Sequence, residues 1–210
     1  MRRRSVAWQF ALSALALWCA APHAGAAQIN VEVSRDGLRF EVRAVARLHA
    51  DIATTFATLT DYEQLPRFIP DVRSVRVLHR EWNADPAAHG EAAAQERLLV
   101  EQQGEFRIWW FSQAVQIRLN VVHLNGDEVR AWLAPVTGID GEVGRMVTFA
   151  GRYKVEPVGD NGRAVRLTYD ARFEPQFHVP PLIGTHAVRH TVTEQFAAMA
   201  LEIERRFAAR

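Results

Sequence analysis

The residues best spaced to do chemistry are His186, His190 and Glu194, at i, i+4 and i+8, with His178 a little upstream. On a helix that spacing gathers three ligand types on one face, where a metal ion can sit. The glutamate that a zincin places directly after its first histidine is missing, and histidines on a wet helix face are ordinary. The sequence is therefore read as binding no metal and no cofactor. Nucleophilic chemistry has as little to work with. The one cysteine is Cys19. No G-x-S-x-G elbow, phosphate-cradling glycine loop or pair of carboxylates on an apolar face stands out. Tyr169 can act as an acid in a dry cavity, but one tyrosine makes no catalytic site. Asp170 and Arg172 share parity with Arg166 and Thr168, which reads as the wet face of a strand. No catalytic residue is assigned.

Apolar groups offer more. Trp109, Trp110 and Phe111 stand in a row, so on a strand at least one points away from the core. They read as a cavity wall, as a lip that touches lipid, or as plain surface. Around them the alternation slips: Phe106, Ile108 and Trp110 have one parity, Val115, Ile117, Leu119 and Val121 the other. A bulge near Ser112-Gln113 or simple curvature of the sheet would explain it. Tyr62, Leu65, Phe68 and Ile69 give a short helical segment an apolar side, either a lid or a cap on the core. Phe149, Tyr169 and Phe173 on strands, with Val192, Phe196 and Met199 on a helix, are expected to line the interior. The candidate ligand-binding set is thus Tyr62, Leu65, Phe68, Ile69, Trp109, Phe111, Phe149, Tyr169, Phe173, Val192, Phe196 and Met199.

Elements must hold these side chains in place. Ile29 to Val33 and Leu38 to Leu48 form a hairpin across Ser34-Arg35-Asp36-Gly37. Its second run alternates cleanly, Leu38, Phe40, Val42, Ala44, Ala46 and Leu48 against Arg39, Glu41, Arg43 and Arg47, so one face is buried and one wet. Asp51 is a suitable cap for a helix from Ile52 to Leu59, with Ile52, Phe56 and Leu59 inward, and Thr60-Asp61 can cap a shorter one. Strands are expected at Val72 to Trp82, Glu96 to Gln103, Phe106 to Val122, Val129 to Ala134, Met146 to Val155 and Val165 to Phe173. Gly104 is read as a tight connection, Asn125-Gly126-Asp127 and Gly159-Asp160-Asn161-Gly162 as turns, and Gly138, Gly141 and Gly144 as a loose link. Val188, Val192, Phe196, Met199, Ile203 and Phe207 then recur at helical spacing, with Thr185 as the expected cap. A long helix with a wide apolar stripe needs an apolar sheet to cover it. The pattern gives an α+β domain.

The chain of 210 residues opens with a different kind of segment. Arg2, Arg3 and Arg4 precede an apolar run from Val6 to Ala21, and Ala24-Gly25-Ala26 follows with the small-x-small pattern of a signal-peptidase site. The run is shorter than the roughly 20 residues that span a bilayer. Residues 1–26 are expected to be a signal peptide and 27–210 one exported domain, periplasmic or secreted. Ala7 and Trp8 fit a twin-arginine signal poorly, and Trp18 before Cys19 disfavours a lipoprotein anchor. Cleavage removes the one cysteine, so packing alone must stabilise the domain. It also leaves a slight acidic excess of interspersed charges, which excludes an electrostatic footprint for nucleic acid. Oligomeric state is not legible.

Several motifs in order resemble a known family. Leu59-Thr60-Asp61-Tyr62-Glu63-Gln64-Leu65-Pro66-Arg67-Phe68-Ile69-Pro70 is similar to the signature of the polyketide cyclase/dehydrase branch of the START-like superfamily, which includes the coenzyme-Q-binding START-domain proteins. Gln102-Gln103-Gly104-Glu105-Phe106, Phe149-Ala150-Gly151-Arg152-Tyr153, Leu167-Thr168-Tyr169 and Pro175 to Pro181 follow, so the resemblance spans residues 38 to 208. It implies a helix-grip fold: a curved antiparallel sheet of six or seven strands wrapped around a long C-terminal helix, two short helices after the first strands, and a hydrophobic cavity between. It also implies a hydrophobic small molecule as partner, a lipid or isoprenoid quinone, with transient membrane contact. The alternatives are a polyketide cyclase/dehydratase-like enzyme, which buried ionisable groups converging on the cavity would favour, and a protein-interaction module whose cavity is filled.

Overall fold

The structure, a computed structural model, describes residues 27–82, 96–108, 111–135, 146–177, 179 and 181–210. Expectations for residues 1–26, for Trp109 and Trp110, for the glycines between 138 and 144 and for His178 lie outside these, as does the side chain of Phe111.

Eight strands build one antiparallel sheet: β1 (Gln28–Asp36), β2 (Arg39–Leu48), β3 (Val72–Trp82), β4 (Glu96–Ile108), β5 (Phe111–Leu124), β6 (Glu128–Leu133), β7 (Met146–Pro157) and β8 (Val165–Pro175). Their spatial order is β1-β2-β8-β7-β6-β5-β4-β3. Helix α1 (Ile52–Leu59) and a 3-10 helix (Tyr62–Arg67) connect β2 to β3, and α2 (Pro181–Ala208) closes the chain. This is the expected α+β helix-grip architecture, with one strand more than seven. Curvature brings one face of the sheet around α2.

The β2 alternation survives folding from Phe40 onward; Leu38, expected on the same buried face, lies in the turn before β2 and is 51% exposed. Phe40, Val42, Ala44, Ala46 and Leu48 are all buried, while Arg39, Glu41, Arg43 and Arg47 are exposed. Ala44 and Ala46 have almost no side chain, so α2 can lie close to the sheet there. They share a core with Leu48, Leu167, Val155, Phe196, Met199 and Ile203. At about 1.5–3 kcal/mol per large apolar side chain buried, that stripe is the chief tie between helix and sheet.

Four other local expectations need correction. The buried face of α1 carries Thr54, Thr55, Thr58 and Leu59, whereas Ile52 and Phe56 are only half-buried. Threonine is tolerated because Thr55 and Thr58 donate to the carbonyls four residues back, at 2.8 Å each; Asp51 caps as expected, accepting from Thr54 N at 2.6 Å. Asp61 caps nothing, and its carboxylate instead meets Arg206 at 2.9 Å. Thr185 lies inside α2, which begins at Pro181.

Gly104 is the fourth. It is not a turn but part of an unbroken β4, paired with Val115. A Cβ there would stand 2.6 Å from the Asp71 carbonyl oxygen, which already accepts from Glu105 N at 2.9 Å. Glycine marks a close approach of backbone to backbone. Pairing of β4 with β5 runs from Glu96–His123 to Ile108–Phe111 without a register shift. Even positions of β4 therefore face the same way as odd positions of β5, which explains the slipped parity with no bulge.

A candidate ligand cavity between sheet and helix

A cavity of about 300 Å³ lies between the inner face of the sheet, the 3-10 helix and α2. Mostly apolar side chains border it. The inward positions of β4 and β5 supply Val100, Val115, Ile117, Leu119 and Val121, and α2 supplies Val188, Val192 and Met199. Of the residues singled out from the sequence, Tyr62, Leu65, Ile69, Phe149, Tyr169, Phe173, Val192 and Met199 border it. Phe68 and Phe196 do not. Phe68 packs against the helix–sheet core beneath the Arg206 guanidinium, 5.7 Å from its ring centre. Phe196 is 3% exposed, within that core.

One flank of the cavity is polar. Gln102, Glu105, Asp71, Thr191 and Gln195 border it, and Gln195 Nε2 donates to the Pro70 carbonyl at 3.1 Å, tying α2 to the start of β3. Glu105 meets Arg73 at 2.6 Å and Asp71 meets Arg107 at 3.3 Å; both arginines are largely exposed. Hydrogen bonds from Arg73 and Arg107 hold the Glu105 carboxyl below the usual range. These carboxylates face the cavity on one side and solvent-exposed cations on the other.

Tyrosines occupy the opposite end. Tyr153 and Tyr169 are cross-strand partners on β7 and β8, and their rings stack with centroids 4.4 Å apart at 25°. Both border the cavity and both are surrounded by protein, so desolvation raises the two phenols, Tyr169 to about 12. Tyr153 was not among the sequence candidates, although it shares parity with Phe149 and Gly151. Gly151 leaves the space between them open: a Cβ there would come within 3.1 Å of the Phe149 ring and 3.6 Å of the Tyr169 ring.

A buried hydrogen-bond chain adjoins this end. His123 Nδ1 donates to Glu96 Oε2 at 2.7 Å, and Tyr62 O–H donates to His123 Nε2 at 2.7 Å, the tautomer that satisfies both contacts. Arg80 lies 3.1 Å from the other Glu96 oxygen. The Tyr62 and Phe56 rings pack on the imidazole. Burial pulls His123 below its ordinary value despite the adjacent carboxylate, and burial also pushes the Tyr62 phenol up. The network escaped sequence reading because its members are far apart in the chain. Parity did carry a signal: Glu96 continues the inward row of Leu98 and Val100, and His123 that of Leu119 and Val121.

His186 and His190 are exposed on α2, His190 reaching Glu194 at 3.4 Å. A wider depression of about 880 Å³ lies on the outer face of the sheet, around Glu41, Arg43, Asp170 and Arg172. There Arg43 pairs with Asp170 and Arg172 with Glu41, each at 3.0 Å. It is a wet surface of paired charges, so the inner cavity is the better candidate.

Residues 48–200 match the family described as polyketide cyclase / dehydrase and lipid transport. The chain belongs to this family. No curated protein sequence matches it. Among solved structures, the chain is similar to a STAR-related lipid transfer protein from Xanthomonas axonopodis, with 17% identity and a TM-score of 0.62, covering 87% of this chain and 96% of that one. A START superfamily protein from Mycobacterium smegmatis gives 16% identity and a TM-score of 0.55 over 80% and 97% of the two chains. The Zhui aromatase/cyclase from Streptomyces sp. R1128 gives 10% and 0.56 over 80% and 95%. At these identities the likeness is one of fold. Membership in the family also brings hydrophobic-ligand binding with it.

Proposed function

We propose that this START-like domain is exported and carries a hydrophobic small molecule, a lipid or isoprenoid quinone, in the cavity between sheet and α2. The observation behind this reading is the cavity itself, about 300 Å³ of partly open, mostly apolar space. A protein-interaction module with a filled interior would have no such space. Binding would be driven by desolvation, with a few polar groups fixing orientation. At about 30 Å³ per water in the liquid, the volume equals some ten waters. A quinone ring and the first part of its tail fit; the rest of a long tail must stay outside. Exposed Leu38 and Val147, 51% and 53% accessible, stand at the same end of the sheet and support brief membrane contact there.

The Tyr62–His123–Glu96 chain favours a second reading, a cyclase/dehydratase-like enzyme, because it places a base and an acid beside the cavity. Its Tyr62–His123 and His123–Glu96 hydrogen bonds, however, tie the 3-10 helix to the sheet, and Glu96 is held by the Arg80 ion pair. Carriage is therefore preferred. Mass spectrometry of organic extracts from the purified protein tests it: a co-purifying lipophile is expected. Turnover of a polyketide-like substrate that stops in His123→Gln would favour the enzyme instead.

A further inference from the structure

The two tyrosines that border the cavity set a requirement on the ligand. Tyr153 and Tyr169 project from paired register positions, so their side chains leave the sheet in the same direction and their stacked rings carry the hydroxyls side by side. Neither hydroxyl has a hydrogen-bond partner among the described residues, and they do not bond each other. Neither hydroxyl is sealed off, so each can donate to a group that enters the cavity. Both side chains retain some accessible surface although protein surrounds them, because that surface faces the cavity. Two donors thus point into an apolar chamber with nothing to receive them.

The charge around the cavity narrows the choice of acceptor. Among the described residues that border it, only Asp71 and Glu105 are charged, and both are acidic. They lie by the Gly104–Val115 pair, eight residues along β4 and β5 from the Glu96–His123 pair, with which Tyr153 is in register through Val129. A carboxylate or phosphate brought to the tyrosines would be desolvated with no cation to compensate. A pure hydrocarbon would leave both hydroxyls unsatisfied. An uncharged carbonyl oxygen suits the site, since its two lone pairs can accept from two donors at once.

We propose that Tyr153 and Tyr169 form a two-donor site for the oxygen of an uncharged carbonyl group, which makes the ligand a neutral ketone, quinone or ester lipophile and not a fatty acid, phospholipid phosphate or hydrocarbon. This rests on the binding reading above and deepens it. Burial keeps both phenols protonated, hence donors, throughout the physiological range. Ring stacking holds them in place before the ligand arrives, so little ordering accompanies binding.

The test compares three probes of matched length, 2-undecanone, undecane and decanoate, each competing with the neutral fluorophore diphenylhexatriene. Wild-type protein is expected to bind the ketone about ten-fold tighter than the alkane, the scale set by one or two net hydrogen bonds, and to bind decanoate least. The Tyr153→Phe/Tyr169→Phe double variant keeps rings and stacking. It should bind ketone and alkane alike, with alkane affinity held or raised, since no hydroxyl is then left unsatisfied, and the apo melting temperature held or raised. A ketone preference that survives in the variant overturns the proposal, as does a fall in apo melting temperature, which would show the hydroxyls serving the fold. Uptake of fluorophore and alkane without ketone preference in the wild type overturns this site alone. Failure to take up any probe overturns the carrier reading with it.

Discussion

His123 is 6% exposed, and what it can do depends on its proton. Protonation would make Nε2 a donor and set it against the Tyr62 O–H that now donates to it. Burial is the largest influence on the ring, Arg80 adds to it, and together they outweigh the pull of Glu96 in the other direction. With its folded pKa below the ordinary value of about 6.5, the native state binds fewer protons than the unfolded chain between the two values. Stability from this group is therefore complete above about pH 6.5 and is lost as pH falls through the folded pKa. Wild-type urea midpoints should drop between pH 7 and 5, and His123→Gln should flatten that slope. An unchanged slope would place the titration elsewhere. Glu202, held near pKa 2 by Arg205 and Arg206, acts in a separate window: its contribution is present above the ordinary carboxylate range and is lost as pH falls toward 2. Tyr62→Phe leaves Nε2 without its partner and should cost about 1–3 kcal/mol in chemical denaturation. None of this was legible as a site. The parity of Glu96 and His123 was visible, but the register that joins residues 27 apart, and brings a tyrosine 61 residues away to them, is a property of the sheet.

Among the elements, α2 was the most legible, since Val188, Phe196, Met199 and Ile203 are buried where the period of the helix puts them. Phe196→Ala should destabilise by about 3–5 kcal/mol, read from the denaturant midpoint, because Phe196 is buried in the same core as Ala44, Leu167 and Ile203 and its removal leaves a void there. The beginning of the helix was not legible, because what decides it is contact and not period. Gly184 lies in the first turns, where a Cβ would approach a Val179 methyl at 2.6 Å and Arg35 Nη1 at 2.9 Å. Alanine is the better helix former by about 1 kcal/mol, yet overpacking costs about 1–3 kcal/mol. The arginine can swing away and the valine must move. Gly184→Ala should therefore show a net loss of about 1–2 kcal/mol in the same measurement; a gain would mean the helix start has room to shift. Gly104 was misread for the same reason. A glycine between apolar runs looks like a turn until the Asp71 carbonyl is found against it.

For the molecule as a whole, the apolar rows that become cavity walls were readable, but whether opposing walls meet or stand apart was not. Periodicity marks which side chains face inward and carries no information on the distance between two inward faces. That distance decides between a carrier and a solid core, and Gly151 offers a way to test it. On β7 it faces the cavity between Phe149 and Tyr153, and a Cβ there would touch the Phe149 ring at 3.1 Å. In a solid core Gly151→Leu would force a large side chain into filled space and destabilise by about 1–3 kcal/mol or more. With some 300 Å³ open in front of it, the leucine instead has somewhere to go: Phe149 need give only a few tenths of an ångström, and the isobutyl group occupies volume that a ligand would otherwise take. The expected result is at least a ten-fold weaker affinity for diphenylhexatriene with a melting temperature close to wild type. Measuring both on one sample separates the cases. A lowered melting temperature with unchanged probe affinity would mean that the space by Gly151 is packing and the ligand sits elsewhere. Weakened binding with an intact melt would mean that the gap between sheet and helix is kept open for a guest.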